Sequence, residues 1–282
     1  MSLSKEQIAR YSRQLIVPEI GVAGQERLLR SSVLVIGAGG LGCPAALYLA
    51  AAGVGRLGII DRETVALSNL HRQILHTTAD LSAPKSQSAK QRLDALNPEV
   101  EIVAIQGSVT SENALHLVQD YEVVLDGSDN FLTRYLVNDA CVLSGKPLVH
   151  GGVIHVRGQV MTILPRRSAC FRCVFPEPPA PGEIPSCQDA GVLGSATGVL
   201  GCLMAHEVIK VLLGLGEPLV NRLLVFDGHA SRFREVPVRR HPSCAVCGDA
   251  PTIRELVQGE AASCASAPSS AVGVVDVRPL GV

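Results

Sequence analysis

Residues 33–42 read VLVIGAGGLG. Val33–Ile36 is an unbroken apolar run with no polar alternation, as in a strand covered on both faces. It meets a glycine turn that fits G-x-G-x-x-G through Gly37, Gly39 and Gly42, and CPAALYLAAAGV then predicts a small-residue helix. Glycines let the backbone approach phosphate, and the N-terminus of the following helix favours negative charge. This opening indicates an adenine nucleotide but no particular reaction, because many chemistries share it.

Working outward, residues 56–60 (RLGII) predict a second strand that ends at Asp61, whose carboxylate can accept hydrogen bonds from ribose hydroxyls. Further strands are expected at 100–105, 122–126 and 147–150, with helices at 84–96, about 112–119 and 131–144. Ser4-Lys5-Glu6-Gln7 reads as a capping box that starts a short helix near residue 5. This alternation predicts an α/β fold with a doubly wound, mostly parallel sheet. After residue 150, HVRGQVMTILP alternates like an antiparallel strand, and RLLVFDG and RFREVPV read as a hairpin. A C-terminal antiparallel extension is therefore expected. PEPPAPGEIP at 176–185 reads as an exposed loop and Ser195–Leu213 as a long helix; from residue 259 the Ala/Ser-rich chain is expected to be a disordered tail.

Two cations and a carboxylate sharpen the nucleotide reading. Arg72 in SNLHRQ (68–73) and Lys85 at a helix start would both face the ligand. A dinucleotide has one pyrophosphate, which the helix N-terminus largely satisfies. A triphosphate losing pyrophosphate needs more positive charge where charge develops. Asp129, in DGSDN at 126–130, follows a strand at the carboxyl edge of the sheet, where a carboxylate suits Mg²⁺ beside phosphate oxygens.

In a reducing cytosol the nine cysteines would not form a disulfide framework, so metal or thiol chemistry is expected of some. Cys170-x-x-Cys173 and Cys244-x-x-Cys247 form two knuckles that predict a closed, structural four-thiolate zinc site. Cys187, beyond the proline-rich loop, could carry a thiol to an activated carboxyl group or be an unreactive loop cysteine. Cys43, Cys141 and Cys202 read as small buried residues. The net charge of −1 provides no basic field for nucleic acid or anionic membrane. The polar N-terminus and the lack of an uninterrupted apolar span predict a cytoplasmic protein without a membrane partner.

The stretches RYSRQLIVPEIGVAGQERL, GAGGLG, SNLHRQ, DGSDNFLTRYLVND, CFRCVFPEPP and PSCQDAGVLG resemble the MoeB/ThiF family over about residues 5–248. These are adenylyltransferases for ubiquitin-like sulfur-carrier proteins, related to the ubiquitin-activating enzymes. The resemblance implies a homodimer that uses ATP and Mg²⁺ to adenylate the C-terminal Gly-Gly of a β-grasp carrier. Gly39 and Gly40 would approach the phosphates and Asp61 would hold the ribose. Asn69, Arg72, Gln73 and Lys85 would surround the triphosphate, Asp129 would bind Mg²⁺, and Asn130 would join the nucleotide-binding set. Arg13 would reach the phosphates of the neighbouring subunit, and the counterpart of Cys187 bonds covalently to the carrier in some relatives and is dispensable in others.

The implied division is one adenylyltransferase domain over 1–258, with a nucleotide-binding half to about 150 and a carrier-binding, zinc-holding half after it. VVDVRP at 274–279 looks like the start of a rhodanese domain, but only three residues follow. A separate sulfur donor, a cysteine desulfurase or rhodanese, is therefore expected. Two other functions would fit less of the sequence. An NAD- or FAD-dependent oxidoreductase explains the glycine turn but not the cations or knuckles. A non-catalytic module binding ubiquitin-like proteins would not need Arg72, Lys85 and Asp129 together. The pathway, molybdenum cofactor or thiamine among others, is not fixed by these residues, although SNLHRQ and CFRCVFPEPP favour the former.

Overall fold

The computed structural model describes residues 3–179 and 190–256. Strands β1 (Ser32–Ile36), β2 (Arg56–Asp61), β3 (Glu101–Gln106), β4 (Val123–Asp126), β5 (Leu148–Ile154), β6 (Arg157–Ile163), β7 (Arg222–Asp227) and β8 (Arg232–Pro237) form one sheet in the order β3-β2-β1-β4-β5-β6-β7-β8. The first five are parallel, and β5 through β8 pair antiparallel. The mostly parallel sheet and its antiparallel extension thus stand as expected.

The period of two in β1 sets the layers. Val33 and Val35 pack on one face with α3 (Gly42–Ala51) and α8 (Gly194–Leu213). Leu34 and Ile36 pack on the other with α5 (Ala114–Gln119) and α6 (Phe131–Ser144). Both sets are nearly or fully buried, which explains the unbroken apolar run. The strand order reverses direction between β1 and β4. Such a switch point opens a crevice at the carboxyl ends of the strands.

The N-terminal helix α1 (Lys5–Leu15) begins with the expected capping box: Ser4 Oγ accepts from Gln7 N at 3.1 Å, and Ser4 N donates to Gln7 Oε1 at 2.9 Å. Helix α2 (Gly21–Leu29) was not predicted from sequence. It has no side-chain cap and two glycines, so its local signal is weak. It is held instead by tertiary contacts, such as buried Gln25 donating to Ala52 O at 3.0 Å. Helix α4 (Lys85–Leu96) matches its expected span, and α7 (Phe171–Val174) is a single turn that begins just after Cys170.

β5 runs four residues beyond the predicted end at residue 150, straight through Gly151 and Gly152. These glycines do not break the strand; Gly151 makes room. A Cβ there would sit 2.3 Å from Met204 Sδ on α8, and one on Gly158 in β6 would sit 2.3 Å from Leu200 Cδ1. Their absence lets α8 lie close on the sheet. By length and composition α8 could cross a bilayer, with mean hydropathy 1.6 over its most apolar stretch. Here it packs against β5 and β6, with Leu200, Met204 and Val208 buried. The outer strand β8 is exposed along most of its length and carries Arg232, Arg234 and Glu235.

Candidate functional site

The crevice at the switch point is a cavity of about 980 Å³. The carboxyl end of β1 delivers Gly39 and Gly40 to its wall, β2 delivers Asp61, and the 68–76 loop delivers Arg72 and Gln73. The start of α4 brings Lys85, and the loop after β4 brings Asp129 and Asn130. Eight residues singled out from sequence therefore meet in one cavity, contributed by five separate segments.

The glycine turn requires its glycines for packing as well as for ligand access. A Cβ on Gly42 would lie 1.8 Å from Gly37 O, and Gly37 itself has φ +90°. A Cβ on Gly39, by contrast, would meet only Gln73 Nε2, at 4.0 Å. The space above Gly39 is therefore open, as close backbone approach to a phosphate needs.

Asp61 grips this turn. Its Oδ2 accepts from Ala38 N and its Oδ1 from Glu63 N, both at 2.8 Å. Burial pushes its carboxyl above the usual range, against the two N–H bonds and the charge of Lys85. Lys85 is buried, and its Nζ donates to Glu63 Oε2 at 2.6 Å. Burial disfavours the Glu63 carboxylate, but the bond and charge of Lys85 outweigh it and hold its pKa low. Arg72 is half-buried; its Nη1 donates to Ser68 O at 3.0 Å and meets His71 Nε2 at 2.9 Å.

Buried polar atoms aimed into such a space call for a ligand. Gln73 Oε1 and Ser128 Oγ, both lining the cavity, have no partner among the described residues. Asp129 stands exposed at the cavity wall. Asn130 caps α6, its Oδ1 accepting from Thr133 N at 2.8 Å. The 126–130 loop is held from both sides. Asp126 Oδ1 accepts from Ser128 N at 3.0 Å, and Asp126 Oδ2 lies 3.0 Å from His150 Nδ1. Arg134 donates to Ser128 O through Nε and Nη2 at 3.3 and 3.0 Å. Burial lowers the pKa of His150; burial works against the Asp126 carboxylate too, but the bonds from His150 and Ser128 and the nearby positive charge together outweigh it and lower its pKa. A neutral imidazole donating to a carboxylate fits both directions.

Two sequence-derived residues lie elsewhere, and a third falls outside the described residues. Asn69 caps the short 3₁₀ turn Leu67–Asn69, its Oδ1 accepting from Ala66 N at 3.1 Å, and is not part of the cavity wall. Arg13 is exposed on α1 and does not line this chain's cavity. Cys187 lies outside the described residues, as does the segment from 259 onward. The sequence reading missed Glu63, His76, Ser128, Arg134 and Thr197. Ser128 and Arg134 lie within the DGSDNFLTRYLVND stretch without being singled out there, and Thr197 had only its place near the start of a long helix.

The four knuckle cysteines converge. The sulfurs of Cys170, Cys173, Cys244 and Cys247 all lie within 4.8 Å of one another. Cys170 Sγ is 3.9 Å from Cys173 Sγ and 3.6 Å from Cys244 Sγ, and Cys173 Sγ is 3.3 Å from Cys247 Sγ. Thiolates about 2.3 Å from a tetrahedral centre have comparable mutual spacing, so the set fits a metal ion. His241 N donates to Cys173 Sγ at 3.3 Å, which orients that sulfur. Between the first two cysteines, Arg172 pairs with buried Asp139, with Nη2–Oδ2 2.7 Å, and stacks over Tyr135 at 4.7 Å. All three of these residues line the cavity.

Residues 11–246 match the profile of the ThiF family. The sulfur carrier protein adenylyltransferase of Thermus thermophilus is 53% identical, over 93% of this chain and 98% of that protein. The adenylyltransferase and sulfurtransferase MOCS3 of Anopheles gambiae is 52% identical over 92% of this chain, which spans 59% of its length. The crystal structure of E. coli MccB with ATP matches with TM-score 0.74 at 23% identity, over 84% of this chain and 74% of that one, a likeness of fold.

Proposed function

The chain belongs to the ThiF family, and from that premise we propose that it adenylates the C-terminal glycine carboxylate of a ubiquitin-like sulfur-carrier protein, releasing pyrophosphate. The observation that carries this reading is the single cavity in which an open glycine turn, Arg72, Lys85 and Asp129 meet. The names of the full-length Thermus relative and of MOCS3 support it.

The chemistry follows from charge. The carrier carboxylate attacks the α-phosphorus, and pyrophosphate leaves. Both reactants are anionic, so the site must first reduce their repulsion. Arg72 and Lys85 supply positive charge at the phosphates, and the Gly39 and Gly40 backbone allows close approach. Asp61 both shapes the turn and faces the ribose. No general base is required, because a glycine carboxylate is already ionised at neutral pH. Asp129, at the carboxyl edge of β4, would hold Mg²⁺, which neutralises phosphate charge when bound. Zinc is the metal proposed for the four cysteines, where it staples the 170–174 segment to residues 244–247.

A homodimer is proposed on the family resemblance, in which Arg13, exposed on α1 and outside its own cavity wall, would reach the phosphates of a second copy. Cys187 is proposed as the thiol that bonds the activated carrier, and a cysteine desulfurase or rhodanese as the sulfur source. Among the described residues all seven cysteines are unpaired, in keeping with a reducing, cytoplasmic setting. Of the pathways, the molybdenum-cofactor branch ranks ahead of thiamine on the SNLHRQ and CFRCVFPEPP stretches.

Carrier-dependent exchange of labelled pyrophosphate into ATP, run against a panel of purified carriers ending in Gly-Gly, tests the proposal. Exchange with at least one carrier, lost when its terminal glycine is removed, is expected. ATP binding without exchange against any carrier would overturn it.

A further inference from the structure

His76 is buried beneath the glycine turn and touches three segments that build the cavity. Its Nε2 lies 3.1 Å from Ala38 O, in the turn itself. Its Nδ1 lies 2.8 Å from Ser88 Oγ, one turn along α4 from Lys85. Its own backbone N donates to Gln73 O at 3.1 Å, within the loop that carries Arg72.

The partners fix the protons. A carbonyl oxygen only accepts, so Nε2 carries the hydrogen and donates to Ala38 O. Nδ1 of the neutral ring then accepts from the Ser88 hydroxyl. Burial lowers the basicity of the ring, which keeps it neutral. Cys43 Sγ, fully buried, also donates to Ala38 O at 3.3 Å. Burial pushes this thiol up to about 12, so it remains a protonated donor.

The Ala38 carbonyl is thus drawn inward by two buried donors, while the Ala38 N–H is held by Asp61. The chain has no cis peptide among the described residues, and in a trans peptide C=O and the next N–H point in opposite directions. Drawing the Ala38 oxygen into the interior turns the Gly39 N–H outward, toward the cavity that Gly39 lines. That N–H has no acceptor among the described residues.

We propose that His76 is a positioning residue for the nucleotide: by holding the Ala38 carbonyl it aims the Gly39 N–H at a phosphate and fixes that donor relative to Lys85 and Arg72. The inference rests on the nucleotide reading of the cavity and names a residue no motif in the sequence indicates. A histidine that merely filled the core would affect every ligand alike. One that aims an amide at phosphate would affect ATP and spare adenosine.

Calorimetric titration of the full chain with ATP and with adenosine separates these. His76→Ala is expected to weaken ATP roughly tenfold or more, the loss of one charge-assisted hydrogen bond, and adenosine less than about twofold. His76→Gln keeps an amide N–H within reach of Ala38 O and is expected to return ATP affinity to within about threefold. Equal losses for ATP and adenosine, unchanged ATP binding in His76→Ala, or a glutamine variant as weak as alanine would each overturn the role. Absence of ATP binding by the unsubstituted chain would remove the nucleotide reading itself, and this role with it.

Discussion

At the glycine turn, the protein supplies its own partners. Asp61 and His76 hold the two sides of Ala38, and Glu63 balances buried Lys85. At the cysteine cluster it does not. Four sulfurs crowd within 4.8 Å; the His241 N–H bonds one of them, and nearby Arg240 donates to the Cys247 backbone carbonyl at 2.8 Å rather than to a sulfur. The first region is assembled by internal hydrogen bonds and should keep its shape when empty. The second brings together thiols that must ionise to bind and would repel one another as thiolates, so its cohesion depends on what it binds. Preorganisation belongs to the cavity, and conditional stability to the cluster.

The largest effect should come from the cluster. Cys244→Ser with Cys247→Ser is expected to abolish about one equivalent of bound metal and lower Tm by roughly 10 °C or more, at about 2–4 °C per kcal/mol for a chain of this size class. Metal analysis and thermal melts read both. A variant that keeps its Tm after losing the metal would erase the contrast between the regions.

Next comes the cavity. Arg72→Ala and Lys85→Ala are each expected to lower pyrophosphate exchange at least about tenfold and up to roughly 10²–10³-fold, with the Arg72 variant melting close to the parent. Near-normal exchange in both variants would take the two cations out of the site.

A smaller effect is set by pH. The pKa of Glu63 is lowered in the folded chain, so its pair with Lys85 contributes stability above the ordinary value of 4.5 and loses it as pH falls through the folded value. The stability gap between the parent and Glu63→Gln should be constant from neutral pH down to about 5 and then shrink on further acidification. A gap that widened in acid would show that the pair does not hold Lys85.

The smallest effect joins the two regions. Tyr135 OH lies 3.0 Å from Phe175 O and 2.7 Å from Glu177 O, just beyond the first cysteine knuckle. Tyr135→Phe is expected to cost about 0.5–1.5 kcal/mol in denaturant unfolding, with metal content unchanged. Loss of metal in this variant would mean that the cluster leans on the cavity wall more than its own geometry suggests.

What could be read from sequence follows from how each feature is encoded. The parallel strands were legible because both faces are buried, leaving runs such as Val33–Ile36 without polar interruption. The cysteine cluster was legible because two short spacings carry a specific geometry, even though the pairs lie 74 residues apart. Glu63 and His76 were not, since each acts as a single loop residue whose partner is remote or in another element. Helix α2 was missed because tertiary contacts rather than caps hold it. The run of β5 through Gly151 and Gly152 was missed because glycine normally ends a strand; only the closeness of Met204 explains it. Asn69 and Asn130 show the reverse: the motif flagged them for a ligand, and the fold also uses them to cap a turn and a helix.

The charged outer strand has its own consequence. Among the described residues β8 is the outer strand, and its outer row of backbone donors and acceptors is the kind of surface on which sheets of neighbouring molecules fuse into aggregates. Arg232, Arg234 and Glu235 make such fusion unfavourable between identical copies, since stacking one margin against another brings solvated charges together. Neutralising these three side chains would remove that guard from the β8 margin and leave it open to edge-to-edge pairing between copies.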